Sequence, residues 1–128
     1  MTTTLYICET CGYRADAESQ SEGALFAREI ERQLAQAPIA GLALRRTRCL
    51  MACQRACTAH LRAPGKINYV IGDFQPNAEN AGTLLDYVRR YQDSATGQVP
   101  YKLWPEGIKG HFVARTPPLD DMNTESTP

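Results

Sequence analysis

The sequence predicts a single α/β domain with a four- or five-stranded mixed sheet and two main helices, and three observations predict it. A β-prone run, Leu5-Tyr6-Ile7, is followed by a helical apolar stripe and then by a second β-prone run, an order that leaves the two strands parallel. Two further β-prone runs flank a proline–glycine turn, which makes them an antiparallel hairpin. With 128 residues and 43% hydrophobic content, the chain can bury roughly two-thirds of its unfolded surface without a disulfide or a metal to hold it together.

The first strand ends at Cys8, and the polar stretch from Glu9 to Glu22 reads as loop. Ser19 and Glu22 have capping-box spacing, and Phe26, Ala27, Ile30 and Leu34 fall on one face up to the stop at Pro38, which predicts helix one over Gly23 to Ala37. Leu42 to Arg48 reads as a strand with one arginine-bearing face that runs directly into Cys49-Leu50-Met51-Ala52-Cys53. Thr58 to Arg62 and Ile67 to Ile71 are the arms of the hairpin around Ala63-Pro64-Gly65-Lys66. Asn77 is a good N-cap for helix two, in which Ala81, Leu84, Leu85 and Val88 form the apolar stripe, and the helix ends near Asp93 to Gly97. These elements occupy residues 1–98. Residues 99–128 form an irregular, proline-rich extension (Pro100, Pro105, Pro117, Pro118), and from Asp120 onward the composition is that of a disordered tail.

Fourteen Lys and Arg balance fourteen Asp and Glu, so no bulk charge draws the chain to nucleic acid or to a membrane. The balance hides a dipole: from Arg32 to Gly72 there are seven basic residues and no acidic one. No apolar run reaches a membrane-spanning length, and the N-terminus lacks the basic and apolar regions of a signal peptide, so the expected location is the cytoplasm. Five cysteines in such a chain favour thiolate chemistry or metal binding over a disulfide framework.

Cys8 and Cys11 form a C-x2-C pair after the first strand, and Cys49 and Cys53 form a C-x3-C pair after the second. Adjacent parallel strands would end at the same side of the sheet and bring these four thiols within reach of one centre. Four thiolates suit soft metals, either a [2Fe-2S] cluster or tetrahedral zinc. Buried, unreactive thiols are the plain alternative, but packing alone does not account for four of five cysteines in two tight pairs. Cys8-Glu9-Thr10-Cys11-Gly12 looks like half of a zinc knuckle, whereas Cys49 to Cys53 has one residue too many and no following glycine.

The order strand, cysteine, helix, strand, C-x3-C, hairpin and helix resembles the thioredoxin-like [2Fe-2S] ferredoxins. More narrowly, the run Cys49 to Thr58 with Gly65-Lys66, Tyr69-Val70-Ile71-Gly72-Asp73, Tyr91 to Gly97 and Arg115-Thr116-Pro117-Pro118-Leu119 is similar to the DUF1636 family of predicted metal-binding proteins. That likeness covers almost the whole chain. It implies a thioredoxin-like fold and a metal or cluster site, with no established reaction, and the ferredoxin likeness carries over as ligands Cys8, Cys49 and Cys53, with Cys11 added by the spacing of the pairs. Cys11 departs from the ferredoxins, which leave a longer gap between their first two ligands. Cys57 departs too, as a fifth cysteine, and is the alternative ligand.

The function expected on these grounds is a small soluble one-electron carrier with a [2Fe-2S] cluster. The alternatives are a binding or delivery protein for zinc or cobalt, with a link to cobalamin, and a thioredoxin-like dithiol oxidoreductase. Against the dithiol, Arg14 to Ser19 reads as loop where an active dithiol would open a helix. No acid–base pair, activated nucleophile or phosphate loop is recognisable, so no enzymatic activity is assigned. His60 is placed in a hairpin strand as an ordinary sheet side chain rather than a ligand, and His111 is the weaker candidate of the two. Tyr87 and Tyr91 are expected to be core aromatics. Arg45, Arg48 and Arg55 surround the cysteine loop, where they would offset cluster charge and dock an acidic redox partner or a metal-receiving protein. Nucleic acid and membrane are not expected partners, and a homodimer is compatible with this reading.

Overall fold

The computed structural model describes residues 2–9, 22–48 and 57–118. Its sheet has five strands: β1 (Thr3–Cys8), β2 (Leu42–Thr47), β3 (Ala59–Arg62), β4 (Asn68–Ile71) and β5 (Phe112–Thr116). The strand order is β2-β1-β3-β4-β5. β1 and β2 are parallel and the other neighbours are antiparallel, so the sheet is mixed, as expected.

Helix α1 (Glu22–Gln36) buries Phe26, Ala27 and Ile30, the stripe that its sequence period sets out. Ser19, the proposed capping residue, lies outside the described residues. Helix α2 (Ala78–Asp93) begins where Asn77 Oδ1 accepts from the Asn80 backbone N–H at 2.8 Å, satisfying one of the free donors of the first turn. The helices meet where Gln33 donates to Glu29 and, at 2.9 Å, to the Ala78 carbonyl.

One face of the sheet supplies the core. Leu5, Ile7, Ala59, Leu61, Tyr69 and Ile71 alternate along β1, β3 and β4 and pack with the apolar stripes of both helices. Tyr87 and Tyr91 are core residues, 1% and 0% exposed. The Tyr91 hydroxyl donates to the Ile67 carbonyl at 2.8 Å, which gives its one polar atom a partner inside the core. Lys66 Nζ donates to the Tyr91 and Gln92 carbonyls, both at 3.1 Å, so the hairpin turn caps the C-terminal end of α2.

The fifth strand, Phe112–Thr116, comes from the extension that the sequence reads as irregular. Its single apolar pair, Phe112-Val113, is too short to signal a strand alone, and it forms one because β4 presents an open edge. Asn68 Nδ2 fastens it by donating to the Pro117 carbonyl at 3.2 Å. Residues 119–128, with the expected tail, lie outside the described residues.

Candidate functional site

Three strand ends meet at one end of the sheet. The parallel register sets Cys8 opposite Thr47. The Glu9 N–H donates to the Thr47 carbonyl at 2.8 Å, and the Cys8 N–H donates to the Thr58 carbonyl at 3.0 Å. The Cys8 thiol donates to the Arg48 carbonyl at 3.5 Å. The residues on either side of the segment 49–56, Arg48 and Cys57, therefore both lie beside Cys8: the first through the thiol, the second through its neighbour Thr58.

Cys8 is 2% exposed but stands outside the apolar cluster, whereas Cys57 is 0% exposed and belongs to it. Cys57 exchanges both backbone hydrogen bonds with Phe74, at 3.0 and 3.3 Å. Phe74 lies stacked between Phe26, with ring centroids 5.3 Å apart, and His111, at 4.5 Å. His111 Nδ1 lies 2.7 Å from the Gly72 carbonyl, which can only accept, so this nitrogen carries the proton. The Gly72 N–H donates back to the His111 carbonyl at 2.7 Å. The extension thus clamps the segment that pairs with Cys57. Between them Asp73 takes a φ of 65°, a left-handed turn that aspartate adopts more readily than most residues.

Of the expected ligands, only Cys8 falls within the described residues; Cys11, Cys49 and Cys53 lie outside them, as does Arg55. Among the described residues no group of three or more His, Cys, Asp or Glu is placed to hold a metal ion. Arg45 and Arg48 are exposed beside the strand ends. The single arginine-bearing face expected for β2 is corrected by the structure. Arg46 pairs in register with Ile7 on the helix side, where it meets Glu31 at 3.0 Å and Glu9 at 3.8 Å, while Arg45 pairs with Tyr6. Adjacent strand residues point to opposite faces, so Arg45 and Arg46 cannot share one.

His60 is a sheet side chain, stacked on Tyr6 with ring centroids 6.0 Å apart, and the Arg62 guanidinium lies 5.5 Å from the Tyr6 ring centre. Burial, reinforced by the neighbouring Arg62 charge, pushes the His60 imidazole below the ordinary histidine value. Sequence reasoning missed this group because Tyr6 and His60 meet only through the β1–β3 register. The signal that was available is the alternation along β1, which puts Tyr6 and Cys8 on one face. His111 was likewise undervalued, since its contacts depend on where β5 docks.

A family model described as "Protein of unknown function (DUF1636)" matches residues 5–118. The chain belongs to this family. No curated protein matches it. Among solved structures it is similar to a thioredoxin-like [2Fe-2S] ferredoxin from Aquifex aeolicus, with a TM-score of 0.56 and 13% identity over 91% of this chain and 96% of the ferredoxin. The wild-type thioredoxin-like [2Fe-2S] ferredoxin from the same organism, in a crystal structure at 1.5 Å resolution, gives a TM-score of 0.50 at 13% identity over 82% of this chain and 96% of that one. The fold is therefore thioredoxin-like. Among the described residues no helix is long and apolar enough to cross a membrane.

Proposed function

We propose that this family member is a small one-electron carrier rather than an enzyme, with a [2Fe-2S] cluster held by Cys8, Cys11, Cys49 and Cys53 in a reducing, cytoplasmic setting. The observation that carries this reading is the meeting of Cys8 with Arg48 at the end of the sheet, where the chain enters Cys49-Leu50-Met51-Ala52-Cys53. The donor set is all thiol, which fits iron–sulfur ligation, and the fold is one that such ferredoxins use. When bound, the cluster would take up and release one electron.

The chain's own residues would prepare that site. Cys8 must lose its proton to ligate, giving up its hydrogen bond to the Arg48 carbonyl. Its burial opposes the bare thiolate, so the bond to the metal has to supply the compensation. Cys57, packed in the apolar cluster, is the alternative ligand that would displace Cys11. Arg45, Arg48 and Arg55 would offset the negative charge of the ligated centre and dock an acidic partner.

A second reading, a zinc or cobalt binding or delivery protein, is favoured by one feature, the knuckle-like Cys8-Glu9-Thr10-Cys11-Gly12. Metal analysis and a visible spectrum of anaerobically purified protein separate the readings. A brown protein that bleaches with dithionite supports the carrier. A colourless protein with one equivalent of zinc supports the second reading, and a metal-free protein with a titratable disulfide returns the dithiol oxidoreductase.

A further inference from the structure

We propose that the face of the sheet turned away from the helices, where Arg45 is exposed and Tyr6, His60 and Arg62 are half-buried, is the docking surface for an acidic patch on a partner protein. Both helices pack on the other face, through Leu5, Ile7, Leu61 and Tyr69. Strand alternation leaves Tyr6, Arg45, His60 and Arg62 on this one. None of the five strands contains an Asp or Glu, while Glu22, Glu29, Glu31, Glu79, Asp86 and Asp93 lie on the helices. Among the described residues, the strands that make this face carry no acidic side chain.

Several helix-side cations are already paired. Arg46, on the helix side, is held by Glu31 and Glu9, and Arg32 and Arg89 are paired within their helices. Arg45 and Arg62 have no carboxylate partner among the described residues. Arg62 is already ordered over the Tyr6 ring, itself stacked on His60, so less side-chain freedom remains to be lost when a carboxylate arrives. Arginine with aromatic neighbours is also the composition enriched at the centre of protein interfaces.

The charge selects the occupant. A second copy of this chain, docked through the same face, would set Arg45 and Arg62 against their own like charges. Nucleic acid rewards many phosphate contacts, whereas this face offers few cations on a chain of zero net charge. An acidic protein surface fits both the sign and the modest number. Tyr6 shares its strand and face with Cys8, two residues on, so a partner seated here would lie beside the proposed centre. The inference rests on the proposed function only for what is exchanged, since docking itself needs no metal.

The test is a titration of the full-length, isotope-labelled protein with an oligoglutamate peptide at low ionic strength, followed by amide chemical shifts in metal-loaded and metal-free samples. The expected result is shifts centred on Tyr6, Arg45, His60 and Arg62. Binding should weaken at least about fivefold, a loss of about 1 kcal/mol, in Arg45→Gln/Arg62→Gln. It should be largely kept in Arg62→Lys, and unchanged in Arg89→Gln/Arg90→Gln, which removes the same charge from α2. Shifts that map elsewhere, equal weakening by both double variants, or no binding would overturn the proposal. So would tighter binding of an RNA oligonucleotide or of phosphatidylglycerol vesicles, or self-association through this face in light scattering. A colourless protein that still binds the peptide here keeps the docking surface and removes the electron carrier; a redox-active protein that does not bind it does the reverse.

Discussion

Cys57 and Cys8 are both buried, yet they sit in different surroundings, and that difference predicts different behaviour. Cys57 belongs to the apolar cluster with Phe26, Phe74 and Ala59, so Cys57→Ser should keep the visible spectrum while lowering the unfolding free energy by about 1–3 kcal/mol, because a hydroxyl is costlier than a thiol to bury there. Cys53→Ser should lose or shift the spectrum, and the opposite pattern would make Cys57 a ligand and demote Cys11. At His60 the folded-state pKa is depressed, so between the folded value and the ordinary value of about 6.5 the unfolded chain binds more protons. Stability should therefore fall as pH drops below about 6.5 and level off below the folded pKa. Melting curves between about pH 8 and pH 5 should show a shallower decline in His60→Gln, and an unchanged slope would mean that other groups set it.

Element by element, the second helix depends on contacts at its two ends. Asn77 Oδ1 accepts from both the backbone N–H and the side-chain amide of Asn80, at 2.8 and 3.1 Å, so Asn77→Ala should cost about 1 kcal/mol in denaturant unfolding. At the other end Gly97 has a φ of 89°, and a Cβ there would lie 2.9 Å from the Ile67 carbonyl oxygen, a backbone atom that cannot swing aside. Gly97→Ala should therefore cost more than about 1 kcal/mol, and a neutral result would show that the turn can re-form. Lys66 closes the same junction from the hairpin side. Helix two is thus locked to the β3–β4 turn, which keeps β4 in place for Phe74 and its partner Cys57.

Over the whole molecule, the extension is tied to the site through His111, Phe74 and Cys57, and to the core through Phe112 against Tyr69 and Tyr87. A chain ending at Gly110 would leave the β4 edge unpaired and these rings uncovered. It should unfold at lower temperature and aggregate more readily than the full chain. If it melts like the full chain, β5 contributes nothing to the domain. Metal should act in the opposite direction: loading should raise the melting temperature and chelation lower it, because a ligand that binds only the folded chain stabilises it by mass action. Cys8→Ser should lose most of that gain.

Period and turn chemistry are local properties, and whatever depends on them is legible along the chain. Phe26, Ala27 and Ile30 declared α1, Asn77 declared the start of α2, and Ala63-Pro64-Gly65-Lys66 declared the hairpin, since each signal is complete within a few residues. The spacing of the cysteines likewise named the candidate ligands, and the acid-free run from Arg32 to Gly72 is the ground for proposing an acidic partner. What lay beyond the sequence was register and docking. Tyr6 meets His60, Arg46 turns to Glu31 while Arg45 faces the other way, and β5 finds the edge of β4, all through pairings between residues distant in the chain. A one-residue change of register would exchange the two faces without altering any local pattern, so only the packing of one face against the helices could decide which residues were left on the other.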